Sequence, residues 1–189
     1  LAQAGFHVTV FEKNSSPGGR ARKFVSQGFT FDMGPSWYWM PDVFEEFFGY
    51  FGKKPSDYYD LVRLDPSYRI VYSSTDKLDI PAGVEKLCAL FDLLEPGSSA
   101  QLLKFLDEGK FKYEIGIHDL VHKLGLSVTE FLDMELFKGV FKLHVFESIS
   151  SYIRKFFKDP KLVQLLEFPV LFLGAKPSNT PALYSLMNY

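Results

Sequence analysis

Cysteine is nearly absent. Cys88 is the single one in 189 residues, which excludes an internal disulfide framework and a cysteine-based metal cluster and leaves it to be read as a small buried hydrophobe. Excess charge of either sign is also missing: the net charge of -2 gives no electrostatic pull toward nucleic acid, and no nucleic-acid partner is expected. Crossing a bilayer takes roughly 20 uninterrupted apolar residues, and the longest apolar stretch here is broken by Pro169. No G-x-S-x-G elbow is present, so nothing supports a serine hydrolase. His118 and His122 stand four apart, but Asp119 replaces the glutamate of H-E-x-x-H and no third ligand is evident, so no metal site is read. There is no internal repeat, no low-complexity segment and no Met at position 1. The opening Leu1-Ala-Gln-Ala-Gly5-Phe6 reads as the last turn of a helix closed by Gly5, so the chain is expected to be an internal piece of a longer protein.

Aromatic residues, by contrast, are abundant. Phenylalanine contributes 20 residues and aromatics make up 17% of the chain. Rings in such number fill a core, line an apolar cavity or rest on lipid, and composition alone assigns no particular ring to any of these. The 47% hydrophobic content is enough for a substantial core.

The most informative local pattern is an apolar run, His7 to Phe11, ending in Glu12 and followed by Ser16-Pro17-Gly18-Gly19-Arg20-Ala21. In a dinucleotide-binding βαβ unit, an acid after the second strand accepts hydrogen bonds from ribose hydroxyls. Paired glycines let backbone N–H groups approach a pyrophosphate, and an arginine offers its oxygens a forked, permanently charged partner. Together these residues point to a nucleotide cofactor. The strand and glycine-rich loop that precede such an acid would lie upstream of Leu1.

Along the chain, two textures follow one another. Strands are expected at Val8 to Phe11, Arg22 to Val25, Phe29 to Asp32, Leu61 to Leu64, Tyr68 to Tyr72 and Lys77 to Ile80. Ser26-Gln27-Gly28 joins two of them into a hairpin with Phe29 and Phe31 on one face. A helix is expected from Pro41 to about Phe51, ending near Gly52. From Val84 the spacing becomes helical, through Leu87, Leu90, Phe91 and Leu94, then Leu102, Leu103, Phe105 and Leu106, with a break at Glu95-Pro96-Gly97-Ser98. Ser127-Val128-Thr129-Glu130 reads as a capping box. The change of texture near Pro81 to Gly83 suggests a boundary between 1–83 and 84–189. From Phe137 to Lys161, cations including Arg154, Lys155 and Lys158 alternate with bulky apolar residues, as on a surface resting on anionic lipid or on an ordinary amphipathic helix pair.

Three blocks carry a family resemblance. Val10-Phe11-Glu12-Lys13 through Pro17-Gly18-Gly19-Arg20-Ala21, then Gly28-Phe29-Thr30-Phe31-Asp32-Met33-Gly34-Pro35-Ser36, resembles the flavin-binding start of the phytoene desaturases, within the wider FAD-dependent amine oxidase-like superfamily. Ser151-Tyr152-Ile153, Phe168 to Ala175 and Pro181 to Leu186 resemble a segment that desaturases carry before their cofactor-closing half.

The resemblance implies an α/β (α+β) fold: a partial Rossmann-like FAD-binding domain over 1–83 and a helical substrate or lid region over 84–189, without the N-terminal glycine-rich loop or the C-terminal half. It implies FAD, with Glu12 on the ribose, Lys13 near the adenosine, Gly18, Gly19 and Arg20 facing the pyrophosphate, and Gly34, Pro35 and Ser36 beside the flavin ring. Trp37, Tyr38 and Trp39 either shape the nearby cavity or belong to the core. The implied reaction is desaturation of phytoene to more conjugated carotenes, on a cytoplasmic, peripherally membrane-associated protein that draws an insoluble polyene from the bilayer. No side chain is singled out as a catalytic base. Other flavin-dependent polyene desaturases or isomerases, amine oxidase-like enzymes and a non-catalytic lipid-binding protein on the same scaffold remain open.

Overall fold

A computed structural model of the chain describes residues 1–34, 37–121 and 143–189. It mixes helices with two small antiparallel sheets, and it divides into two compact units, Leu1–Val62 and Arg63–Tyr189.

The first unit is built around a hairpin and one helix. β1 (Arg22–Ser26) pairs with β2 (Phe29–Met33) in a register running from Arg22 opposite Met33 to Ser26 opposite Phe29. The turn forms because both of its central residues, Gln27 and Gly28, take positive φ, at 51° and 83°, which matches the twist of the flanking strands. Period-two alternation then puts Phe24, Phe29 and Phe31 on one face, with Phe24 and Phe31 stacked at 6.0 Å across the strands and Phe29 6.5 Å from Phe31. α1 (Pro41–Gly49) starts at a proline, whose missing N–H has no intrahelical acceptor to lose there, and the chain beyond it turns at Gly52 with φ 64°.

Two expected strands do not form. Val8 to Phe11 has no ladder partner among the described residues, and Val10 and Phe11 are 85% and 92% exposed. A β-branched run becomes a strand only when a neighbour satisfies its N–H and C=O groups. Leu61 to Leu64 is likewise unpaired; the ladder nearest to it starts beyond Pro66, where the Ser67 N–H donates to the Ile80 carbonyl at 2.8 Å. At the opening of the chain, the helical turn ending at Gly5 is present as a short 3-10 turn, Ala2–Ala4, with Gly5 at φ 85°.

The second unit holds the buried core. β3 (Tyr68–Val71) and β4 (Lys77–Ile80) form a hairpin, followed by α2 (Val84–Leu94) and α3 (Ser98–Tyr113), which runs on as a π-helical turn over Glu114–Leu120. α4 (Ile149–Ile153), α5 (Pro160–Glu167) and 3-10 segments at Phe168–Leu173 and Ala182–Asn188 complete it. Phe91, Leu102, Phe105, Ile153, Phe157 and Leu162 are wholly buried, and Phe91, Phe105 and Phe157 meet edge to face at 5.3 to 6.1 Å. The sequence texture changes near Pro81–Gly83, yet the division in packing falls at Val62, because Ile80 enters this core and Tyr68, Ile70 and Leu78 pack against it. Strand or helix texture reports local backbone, whereas a compact unit is set by which side chains bury one another. Cys88 is partly buried against the same core. The capping box at 127–130 and His122 lie outside the described residues.

Candidate functional site

The motif residues of the first unit are placed by short-range geometry. Gly18, at φ 115°, precedes a 3-10 turn over Gly19–Ala21, and the Ala21 N–H closes it by donating to the Gly18 carbonyl at 2.8 Å. Gly19 is also left-handed, at φ 53°, and a Cβ there would meet nothing within 4 Å, so the turn presents open space beside its backbone. The N–H groups at the start of such a turn have no acceptor within it, which makes them available to an anion. Arg20 sits within the turn.

Because β1 starts directly after this turn and Arg22 pairs with Met33, the hairpin carries Gly34 back onto it. A Cβ on Gly34 would overlap the Arg20 carbonyl oxygen, and its φ of 154° also disfavours a side chain. The backbones of the two motif blocks thus touch, fourteen residues apart in sequence. Pro35 and Ser36 lie outside the described residues. Just beyond them, the Trp37 and Trp39 rings stack at 5.7 Å, and Tyr38 stacks on Phe44 at 4.6 Å while its hydroxyl meets that of Tyr59 at 2.6 Å.

Glu12 is exposed, and its Oε1 accepts from the Asn14 backbone N–H at 2.8 Å and from Asn14 Nδ2 at 2.7 Å. These hydrogen bonds from Asn14 hold its pKa below the ordinary carboxylate value, so the group is a fixed anion and an acceptor. Asn14, which the motif does not single out, organises the acid through both its backbone and its side-chain N–H. Lys13 is exposed beside it. The set fits a nucleotide: an ionised acceptor suits ribose hydroxyls, and an open glycine turn with an arginine suits phosphate oxygens.

A model of the family described as flavin containing amine oxidoreductase matches residues 1–189. The chain belongs to this family. It is 40% identical over 190 residues to a carotenoid 3,4-desaturase from Haloarcula japonica, covering 100% of this chain and 38% of that protein. It is 35% identical over 192 residues to a zeta-carotene-forming phytoene desaturase from Myxococcus xanthus, covering 100% of this chain and 37% of the relative. A 4,4'-diapophytoene desaturase from Staphylococcus haemolyticus is 33% identical over 188 residues, with 99% and 37% covered. The chain therefore spans less than two-fifths of the length of these relatives.

Among the described residues, three cations of the 137–161 stretch are paired with carboxylates. Arg154 pairs with Glu167 at 2.6 Å, Lys155 with Glu147 at 2.7 Å and Lys161 with Asp76 at 2.8 Å, and Phe157 points into the core. An open pocket of about 370 Å³ lies beside Arg154, Lys158 and Gln164. Among the described residues no helix is long and apolar enough to cross a membrane.

Proposed function

We infer that the chain is the cofactor-gripping part of an FAD-dependent carotenoid desaturase, acting on phytoene to give more conjugated carotenes such as lycopene. What carries this reading is the similarity, over the whole of this chain, to desaturases whose named activities all concern carotenoids. The meeting of Gly34 with the Arg20 turn supports it, since the resemblance assigns the first to the flavin ring and the second to the pyrophosphate of one cofactor.

In this reading residues 1–83 belong to a Rossmann-like FAD domain of the whole protein and 84–189 to a helical substrate or lid region, with the β3–β4 hairpin packed on the helical side of that boundary. Glu12 accepts from the ribose hydroxyls, Lys13 lies near the adenosine, and the N–H groups of Gly18 and Gly19 with Arg20 face the pyrophosphate. Gly34, Pro35 and Ser36 leave room for a flat ring. When bound, the flavin supplies the hydride acceptor that unactivated C–C dehydrogenation requires, and the chain supplies binding, orientation and exclusion of water. A polyene of this kind is insoluble, which favours a protein working at the cytoplasmic membrane surface. Its contact would rest on apolar groups, since three of the cations around α4 and α5 are already paired.

The 40% identity to a 3,4-desaturase favours a second reading, a later-step carotenoid desaturase. Both are tested by expressing the whole protein in a colourless host that makes phytoene or, separately, lycopene, and resolving extracted pigments by absorbance. New longer-wavelength bands from phytoene support the first reading, and bands only from lycopene support the second. A yellow, FAD-loaded protein that changes neither polyene would overturn the substrate and leave the flavin.

A further inference from the structure

The second unit buries a lysine that none of the cofactor motifs uses. On α3, Ser98, Leu102, Phe105, Gly109 and Lys112 recur at intervals of four and three, and all five are buried. A lysine thus occupies a core position, and it is wholly inaccessible. Its Nζ donates to Ser185 Oγ at 2.8 Å and to the Ala182 carbonyl at 3.2 Å, both on the 3-10 segment Ala182–Asn188. It also lies 3.9 Å from the centroid of the Tyr152 ring on α4. An ammonium has three donors; two are placed and the third is left toward the π face.

The charged and titratable groups around Lys112 come from each neighbouring element. On α3, one turn before it, Glu108 accepts from the Tyr152 hydroxyl. Glu147, in the turn preceding α4, also attracts it, and is itself bound by Lys155 at 2.7 Å and by His144 at 3.4 Å. The His144 ring lies 4.8 Å from that of Tyr152. The segment Ala182–Asn188 offers Lys112 only neutral acceptors. It also rests directly on α3, because a Cβ at Gly109 would lie 3.4 Å from the Ser185 carbonyl oxygen. Its start is pinned by the Ala182 N–H, which donates to the Glu147 carbonyl at 2.7 Å.

We propose that Lys112 is a proton-controlled latch for the segment Ala182–Asn188, holding it closed on α3 when neutral and favouring its release when protonated. An ammonium sealed beneath the segment loses its water, and opening the segment restores it. Burial outweighs the attraction of Glu108 and Glu147 and pulls the Lys112 pKa down to about 8, from 10.5 in water. Below pH 8 the lysine is charged whether the segment is closed or open, and the closed state bears the whole desolvation cost. As pH rises through 8 the closed state sheds its proton while the open state keeps it up to 10.5, so closure gains over that window. Linkage between these two values makes opening about thirty-fold rarer at pH 9.5 than at pH 7.

Amide hydrogen exchange on the whole protein, corrected for the intrinsic effect of pH on exchange, reads that opening. Protection in 182–188 is expected to rise about thirty-fold from pH 7 to pH 9.5, with no such rise in α2, and Lys112→Met, of similar length but uncharged, is expected to lose the pH dependence. Equal protection at the two pH values, or the same rise in Lys112→Met, overturns the latch. If Lys112→Met does not fold, Lys112→Arg decides: its permanent charge must hold protection at the native low-pH level throughout, and a native-like rise overturns the proposal.

Discussion

Among the described residues, no side chain of Leu1–Val62 is buried, whereas Arg63–Tyr189 contains a continuous core from Ile80 to Ala182. The first unit nevertheless carries the motif residues proposed to hold the nucleotide, and the second carries almost none of them. The glycine turn among them is backbone geometry over a few residues: Gly18, Gly19 and the return of β2 produce it with a single hairpin. A core requires residues far apart in sequence to exclude water together, as Phe91, Phe105 and Phe157 do from three different parts of the chain. Recognition and packing are thus carried by different stretches. The aromatic richness also divides: Phe91, Phe105, Tyr152 and Phe157 of the second unit are buried, while Phe29, Phe31 and Phe47 of the first are more than half exposed.

The contrast is broken most directly by truncating a ring in each unit. Phe105→Ala removes a fully buried phenyl and is expected to cost about 3–5 kcal/mol in urea unfolding. Phe29→Ala, at a 67% exposed position, should change stability by about 0.5 kcal/mol or less. Comparable losses from both would mean that the first unit has a core of its own.

Gly34→Ala tests the meeting of the two motif blocks. The added methyl has no room against the Arg20 carbonyl, so the hairpin must shift, at a cost of about 2 kcal/mol, and flavin retention by the whole protein should fall. Unchanged backbone chemical shifts around Arg20 would show that the contact is dispensable. Asp159→Ala probes local order in the second unit. Its carboxylate caps α5, accepting from the Lys161 and Leu162 N–H groups at 2.8 and 3.3 Å, and its loss should cost about 1 kcal/mol in the same unfolding measurement. The smallest effect belongs to Asn14→Ala, which removes the side-chain hydrogen bond to Glu12. A carboxylate whose pKa is depressed by donors moves back up when a donor is lost, so NMR titration should find Glu12 ionising at a higher pH than in the native chain. No movement would make the backbone donor alone responsible.

How much was legible depended on the range of the interaction. The hairpin at Gln27-Gly28, α1 after Met40, α2, α3 and the break at Pro96-Gly97 follow from turn residues and apolar spacing that act within a few positions. Val8 to Phe11 and Leu61 to Leu64 have strand composition, but composition cannot supply a partner strand. The cations of 137–161 fit either a lipid-facing surface or a solvated helix face, and carboxylates from other parts of the chain, Asp76 and Glu167, pair with two of them, Lys161 and Arg154. Lys112 was hidden for a related reason: the i, i+3, i+4 register placed it on the buried stripe, yet only the approach of Ser185, seventy-three residues later, supplies the acceptor that lets an amine stay there.

The amino-acid sequence by itself determined the membership of the flavin containing amine oxidoreductase family, the glycine turn and the helical register of the second half, because each is written in neighbouring residues. Tertiary structure alone decided that Gly34 must close on Arg20, that the β3–β4 hairpin packs with the helices, and that one lysine is sealed in the core. Burial and close approach are properties of pairs brought together by the whole fold, and no single stretch of chain contains both partners.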